Sequence, residues 1–170
     1  MPRRKKPRYR LGSDERRTVK RMASAIQRFV LWTAEAGYHE NRLNRKLARH
    51  LSNAIPNLQL VSNQIAVTEF AGEEYRPEYF IRGAGEYPLC CFECKKLPRR
   101  KSKKNFMTAL SQALLYSALY KWVFLVFYDF SPRRIYSAAF GPGNKFESGF
   151  ARFLRENHNI KIISIPARAN

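Results

Sequence analysis

The stretch Cys90-Cys91-Phe92-Glu93-Cys94-Lys95 decides how this chain is read. It lies inside Leu89–Leu97, a run whose texture predicts a β-strand. Side chains on a strand alternate between faces, so Cys90, Phe92 and Cys94 share one face while Cys91, Glu93 and Lys95 share the other. The first set suits a core. The second sets an acid beside a base in the middle of an otherwise apolar strand, where charge demands either a partner or a site.

Working outward, Tyr79–Arg82 predicts the strand before it, joined through Gly83-Ala84-Gly85 as a hairpin. A turn centred near Ala84 pairs Arg82 with Tyr87 and Glu78 with Cys91. Glu78 then stands diagonal to Glu93, roughly 7 Å away at Cβ. Two long carboxylates at that separation can converge on one divalent cation, and oxygen ligands of this kind suit Mg²⁺ or Mn²⁺. Such an ion polarises a scissile phosphate and acidifies an attacking water. A neighbouring lysine can orient that water or neutralise developing charge. The same spacing also fits a plain Glu93–Lys95 ion pair on an open sheet face. Spacing alone leaves both readings open.

The flanking elements predict a mixed sheet with helices packed on it. Ser13 or Asp14 can cap a helix running to about Glu35, with Gly37 as its stop. A second helix, from about His39 to Asn53, carries Leu43, Leu47 and Leu51 at four-residue spacing. Leu58–Phe70 alternates as a strand. After the basic loop Pro98–Lys104 come a helix over Phe106–Lys121, a buried strand over Trp122–Phe130, a helix over Lys145–Asn157 and a short strand at Ile160–Ile165.

Composition sets the wider bounds. The 170 residues suit one domain, here a basic arm over residues 1–12 and a folded unit over 13–170. The hydrophobic fraction of 45% is enough for a real core. There are 32 Lys+Arg against 13 Asp+Glu, a net charge of +19, for which a polyanionic partner is the simplest explanation. No apolar run approaches the roughly 18 residues of a membrane span, so no membrane partner is expected. The basic N-terminus lacks a secretory apolar core, and the three cysteines are too closely clustered to staple the chain; an intracellular, reducing setting is expected. There is no Walker loop or nucleophile elbow. Cys91-x-x-Cys94 has a zinc spacing, but its thiols point to opposite strand faces and no second Cys/His pair lies nearby.

Taken together, Arg76-Pro77-Glu78-Tyr79-Phe80-Ile81, the 14 residues after Glu78, and Glu93-Cys94-Lys95 resemble the PD-(D/E)xK signature of restriction-endonuclease-like nucleases. The resemblance runs from about Glu40 to Ile165. It implies a restriction-endonuclease-like α/β fold with a mixed central sheet flanked by helices. It also implies that Glu78 and Glu93 bind metal, with the Cys94 carbonyl as a further ligand, and that Lys95 assists water attack. Glu40 matches the glutamate that many members carry on the helix before the sheet, and it can equally be read as an acid favoured by the helix dipole. Gln112-Ala113-Leu114-Leu115-Tyr116 matches a Gln-x-x-x-Tyr motif of some branches, and Gln112 can equally be a core amide bonded to backbone. The usual aspartate of the first motif is Glu78 here.

The remaining signal is basic. Arg3, Arg4, Lys5 and Lys6 in the arm, and Lys96, Arg99, Arg100, Lys101, Lys103 and Lys104 after the proposed catalytic strand, are candidate phosphate contacts. The expectation is a Mg²⁺- or Mn²⁺-dependent nuclease, a DNA endonuclease such as a junction resolvase, transposon-end nuclease or restriction enzyme, with a homodimer suggested by analogy. The alternative is a nucleic-acid-binding or assembly protein that kept the fold without the chemistry.

Overall fold

A computed structural model of the chain describes residues 10–62, 68–70, 73–82, 88–140 and 149–169. Helix α1 (Ser13–Arg28) starts at Gly12, whose N–H donates to Glu15 Oε2 at 2.8 Å. Glu15, rather than Ser13 or Asp14, therefore closes this end. Its other oxygen accepts from Lys121 Nζ at 2.6 Å, and that contact, with the Gly12 bond, holds its carboxyl below the usual range.

The helix ends well short of Glu35. Phe29 turns into extended backbone and Leu31–Trp32 (β1) pairs in parallel with Ala167–Arg168. Phe29 and Leu31 are buried in this arrangement, on a sheet edge that a continued helix could not cover. A 3₁₀ turn, Thr33–Gly37, follows, held by Glu35 accepting from Trp32 N–H and Lys46 Nζ at 2.8 and 2.7 Å. Helix α2 (Glu40–Ala54) runs as the leucine spacing predicts, with Leu43, Leu47 and Leu51 buried.

Then come β2 (Leu60–Ser62), β3 (Thr68–Phe70), β4 (Glu73–Tyr75), β5 (Tyr79–Ile81) and β6 (Cys90–Leu97). The predicted strand Leu58–Phe70 is thus two strands in separate sheets, and the Gly83-Ala84-Gly85 turn lies outside the described residues. Helix α3 (Ser102–Tyr116) begins and ends earlier than Phe106–Lys121. Lys103 and Lys104 are good helix formers and occupy its exposed first turn rather than a loop. The chain must also reverse before Lys121, whose N–H donates to Pro88 C=O at 3.3 Å. Strand β7 (Trp122–Asp129), a 3₁₀ turn (Pro132–Arg134), α4 (Ile135–Phe140), α5 (Gly149–His158) and β8 (Ile160–Arg168) complete the described chain. The last strand is longer than predicted because Pro166 and Ala167 continue the pairing to β7 and β1.

The six-stranded sheet has the order β1-β8-β7-β6-β5-β2. Its first four strands are parallel; β5 and β2 join antiparallel. This mixed sheet carries helices on both faces. One core packs α1 and α2 residues such as Met22, Ile26, Leu43 and Leu47 on Phe92, Phe124 and Ile163. The other packs Ala109, Ala113, Tyr116 and Leu154 on Cys91, Leu125 and Phe127. Strand β7, covered on both sides, is apolar throughout until Asp129, in keeping with its central place.

Asp129 ends β7 fully buried. Ser131 N–H and Oγ–H donate to its Oδ1 at 2.9 and 2.5 Å, and Ser137 N–H and Oγ–H donate to its Oδ2 at 2.8 and 2.7 Å. These four bonds fix the connection into α4. No described helix is long and apolar enough to cross a membrane.

Candidate active site

The alternation read from Cys90 to Lys95 is realised in β6. Cys90, Phe92 and Cys94 enter the α1/α2 core, and Cys91 enters the α3 core. The face shared by Glu93 and Lys95 is not open, however: α3 lies across β6 and leaves Glu93 only 3% exposed. All three thiols are buried and burial pushes their pKa values up, which suits packing rather than reactivity.

The hairpin register differs from the predicted one. Tyr79 pairs with Phe92 and Ile81 with Cys90, so Glu78, just before the paired residues, comes next to Glu93 instead of diagonal to it. Glu78 N–H donates to Phe92 C=O at 3.0 Å and secures this end of the hairpin. This register brings the two carboxylates nearer than the sequence suggested.

Glu40, the first residue of α2, also reaches this point. Its Oε1 accepts from Lys95 Nζ at 2.8 Å and its Oε2 from Lys96 N–H at 2.7 Å. Lys96 N–H and Phe92 C=O therefore both point to the β5 side of β6. Peptide groups repeat direction every second residue, so the Cys94 carbonyl is aimed to the same edge, between Glu78 and Glu40. Lys96 itself turns away: its Nζ donates to Ala36 C=O and to Tyr38 C=O, the latter at 2.9 Å. Two carbonyls thus hold the Lys96 ammonium in place beside the site.

The electrostatics are those of crowded acids. Burial is the main reason the Glu93 carboxyl is pushed up to about 8; Lys95 opposes this and the Glu78 and Glu40 charges add to it. Burial likewise raises Glu78, with the nearby Asn44 amide and Lys95 opposing and Glu40 reinforcing. For Lys95 burial works against the charge, but the Glu40 bond and the three carboxylates together outweigh it and raise the pKa.

Several polar atoms around these acids lack partners. Asn44 is 1% exposed, and although it approaches Glu78, neither end of its amide is in hydrogen-bonding geometry. Gln112 Oε1 and Tyr116 Oη, one turn apart on α3, are also buried and unpaired. Buried groups of this kind cost roughly 1–3 kcal/mol each when left unsatisfied. Sequence reasoning does not single out Asn44, although its i,i+4 relation to Glu40 within the inward leucine stripe is the available signal.

Donor chemistry and unpaired polar atoms together fit a hard divalent cation with its waters, with Glu78, Glu93 and the Cys94 carbonyl as ligands. Among the described residues no three acidic, histidine or cysteine side chains converge as a metal cage, and Glu40 is bonded to Lys95 and Lys96. Arg99, Arg100, Lys101, Lys103 and Lys104 are exposed nearby, while Arg3, Arg4, Lys5 and Lys6 lie outside the described residues. A cavity of about 660 Å³ is elsewhere, beside Trp122 and Lys161 at the starts of β7 and β8, and no acidic residue lines it. Compared with known proteins, the chain matches no family model, no curated sequence and no solved structure.

Proposed function

We propose that this protein is a divalent-metal-dependent nuclease of the restriction-endonuclease-like kind, hydrolysing phosphodiester bonds in nucleic acid, with DNA as the favoured substrate. One observation carries the reading: Glu78, just before β5 and bonded through its N–H to Phe92 C=O, comes next to Glu93 on β6, with Lys95 two residues further along the same strand. Glu93 is buried and Glu78 half-buried beside it, both are raised chiefly by burial, and the Glu78 charge raises Glu93 further; a cation would relieve them. Mg²⁺ or Mn²⁺ held by Glu78, Glu93 and the Cys94 carbonyl would supply Lewis acidity toward the phosphate and toward water.

The chain's own groups do the rest. Glu40 holds the Lys95 ammonium at one place on the rim, where it can orient a water or meet charge on a phosphate oxygen. Asn44 and Tyr116 lie near the acids, and Gln112 is one turn from Tyr116 on α3; these neutral polar atoms could bond coordinated or attacking water. The net charge of +19 draws a polyanion to this small acidic centre.

The test is incubation with plasmid, branched and single-stranded substrates in Mg²⁺ or Mn²⁺. Wild type is expected to cleave at least one of them, and Glu78→Ala and Lys95→Ala to lose at least about 100-fold in rate. No cleavage by wild type, or equal cleavage by both variants, overturns the reading. The Lys95–Glu40 pair, already closed at 2.8 Å, favours a second reading, a binding protein in which the lysine is structural. Nucleic-acid affinity that survives both substitutions in a chain that never cuts would establish that role.

A further inference from the structure

Among the described residues five that are not glycine have positive φ: Asn57, Lys101, Arg133, Arg134 and Asn159. Asparagine accepts this left-handed region, whereas lysine and arginine are strained there. The three cations share a location. Lys101 (φ 64°) is on the connection leaving β6, and Arg133 and Arg134 (φ 55° and 49°) are on the connection leaving β7. These strands are parallel neighbours whose ends meet, with Leu97 in register with Asp129 and Phe130 N–H donating to Leu97 C=O at 2.9 Å.

Both connections therefore leave the same end of the sheet, the end at which open α/β sheets bind ligands. Between them lies a cavity of about 520 Å³ whose lining includes Lys96, Pro98, Arg99, Asp129 and Arg134. Its one acid is fully buried with both oxygens engaged, so the accessible charge is positive. A smaller hollow shares Lys96 and Pro98 with this cavity and reaches Glu40 of the candidate active site. Arg99, Arg100, Lys101, Lys103, Lys104, Arg133 and Arg134 are all exposed around the mouth.

We infer that the connections 98–104 and 131–134 form a clamp for the phosphate backbone of duplex nucleic acid flanking the candidate active site. The inference takes its substrate class from the nuclease reading. Strained backbone persists where a function holds it, and here asparagine or glycine would sit more easily at all three positions, so what the cations contribute is charge. The one aromatic residue lining the cavity between these connections, Phe130, packs against the core with the Lys96 ammonium over its ring rather than standing free for bases to stack on, so the backbone of a duplex is the better fit.

The test is the triple variant Lys101→Asn, Arg133→Asn and Arg134→Asn, compared with wild type and with Arg17→Gln, Lys20→Gln and Arg21→Gln, which remove the same charge from α1. Binding of a short DNA duplex and of its single strand is measured by fluorescence anisotropy in EDTA across a salt series. The asparagine variant is expected to keep or raise its melting temperature and to bind duplex at least about tenfold more weakly, with a salt slope shallower by about 2–3. The α1 variant is expected to keep the wild-type slope. Unchanged affinity and slope in the asparagine variant, an equal loss in the α1 variant, or preference for the single strand overturns the clamp. Wild type that binds duplex through these residues but never cleaves it overturns the nuclease reading and leaves the clamp standing.

Discussion

Glu93→Gln is expected to abolish the proposed cleavage and at the same time to stabilise the metal-free protein at alkaline pH. Folding moves this carboxyl from an ordinary value of 4.5 to about 8, chiefly by burial. A group whose folded pKa is raised binds a proton on folding. Its contribution is fully present below the unfolded value, is progressively lost above it and is gone once pH has passed the folded value. Stability of the wild type therefore falls between about pH 5 and pH 8, by up to on the order of 4 kcal/mol from this group. Glu78, raised for the same reason, adds in the same direction. Glutamine keeps the shape and cannot ionise, so thermal midpoints of the variant should decline much less over that range. Mg²⁺ should raise the wild-type midpoint at about pH 8, where binding releases the proton, and leave the variant unmoved. A variant that loses stability with pH as steeply as wild type would show that Glu93 is not the titrating group. Retained cleavage would remove it from the chemistry.

How far the sequence leads depends on the range of the interaction. The face alternation along Cys90–Lys95 is set by strand geometry alone, and the structure reproduces it residue by residue. The second helix and the central strand Trp122–Asp129 are legible for the same reason, because period and apolarity are local. The Glu78–Glu93 register differs because a hairpin's pairing is decided by its connection, and three glycines and alanines in a row leave several connections open. The first helix is shorter than its sequence suggests because nothing near Phe29 announces that Leu31 will pair with Ala167, at the far end of the chain. The partners of Glu40 are likewise hidden: its phase is readable, but the bonds to Lys95 and Lys96 cross 55 and 56 residues. Asn44 and Asp129 escape a sequence reading because single polar residues among apolar ones carry no pattern until their neighbours are known.

Asp129→Ala is expected to cost more stability than any other single polar substitution in the described chain. The aspartate is fully buried, and its two oxygens take four donors from Ser131 and Ser137, the latter also in contact with Ser164 Oγ on β8 at 3.1 Å. Alanine leaves two backbone N–H groups and two hydroxyls facing a void. With charge-assisted bonds at roughly 1.5–3 kcal/mol each and strong non-additivity, a loss of about 3–5 kcal/mol follows. For a chain of this size that lowers the melting temperature by roughly 10 °C. The Asp129→Asn variant keeps one carbonyl acceptor for Ser131 but turns an amide donor toward the Ser137 N–H, so about half the loss should remain. Because these bonds anchor both ends of the segment that carries Arg133 and Arg134, the damage should extend to binding. Hydrogen exchange at the Ser131 and Ser137 amides should accelerate in both variants, and duplex affinity measured well below the melting temperature should fall in step. Fast exchange with unchanged affinity would separate the turn from the phosphate contacts, whereas protected amides in Asp129→Ala would mean that the four bonds are not what holds the turn.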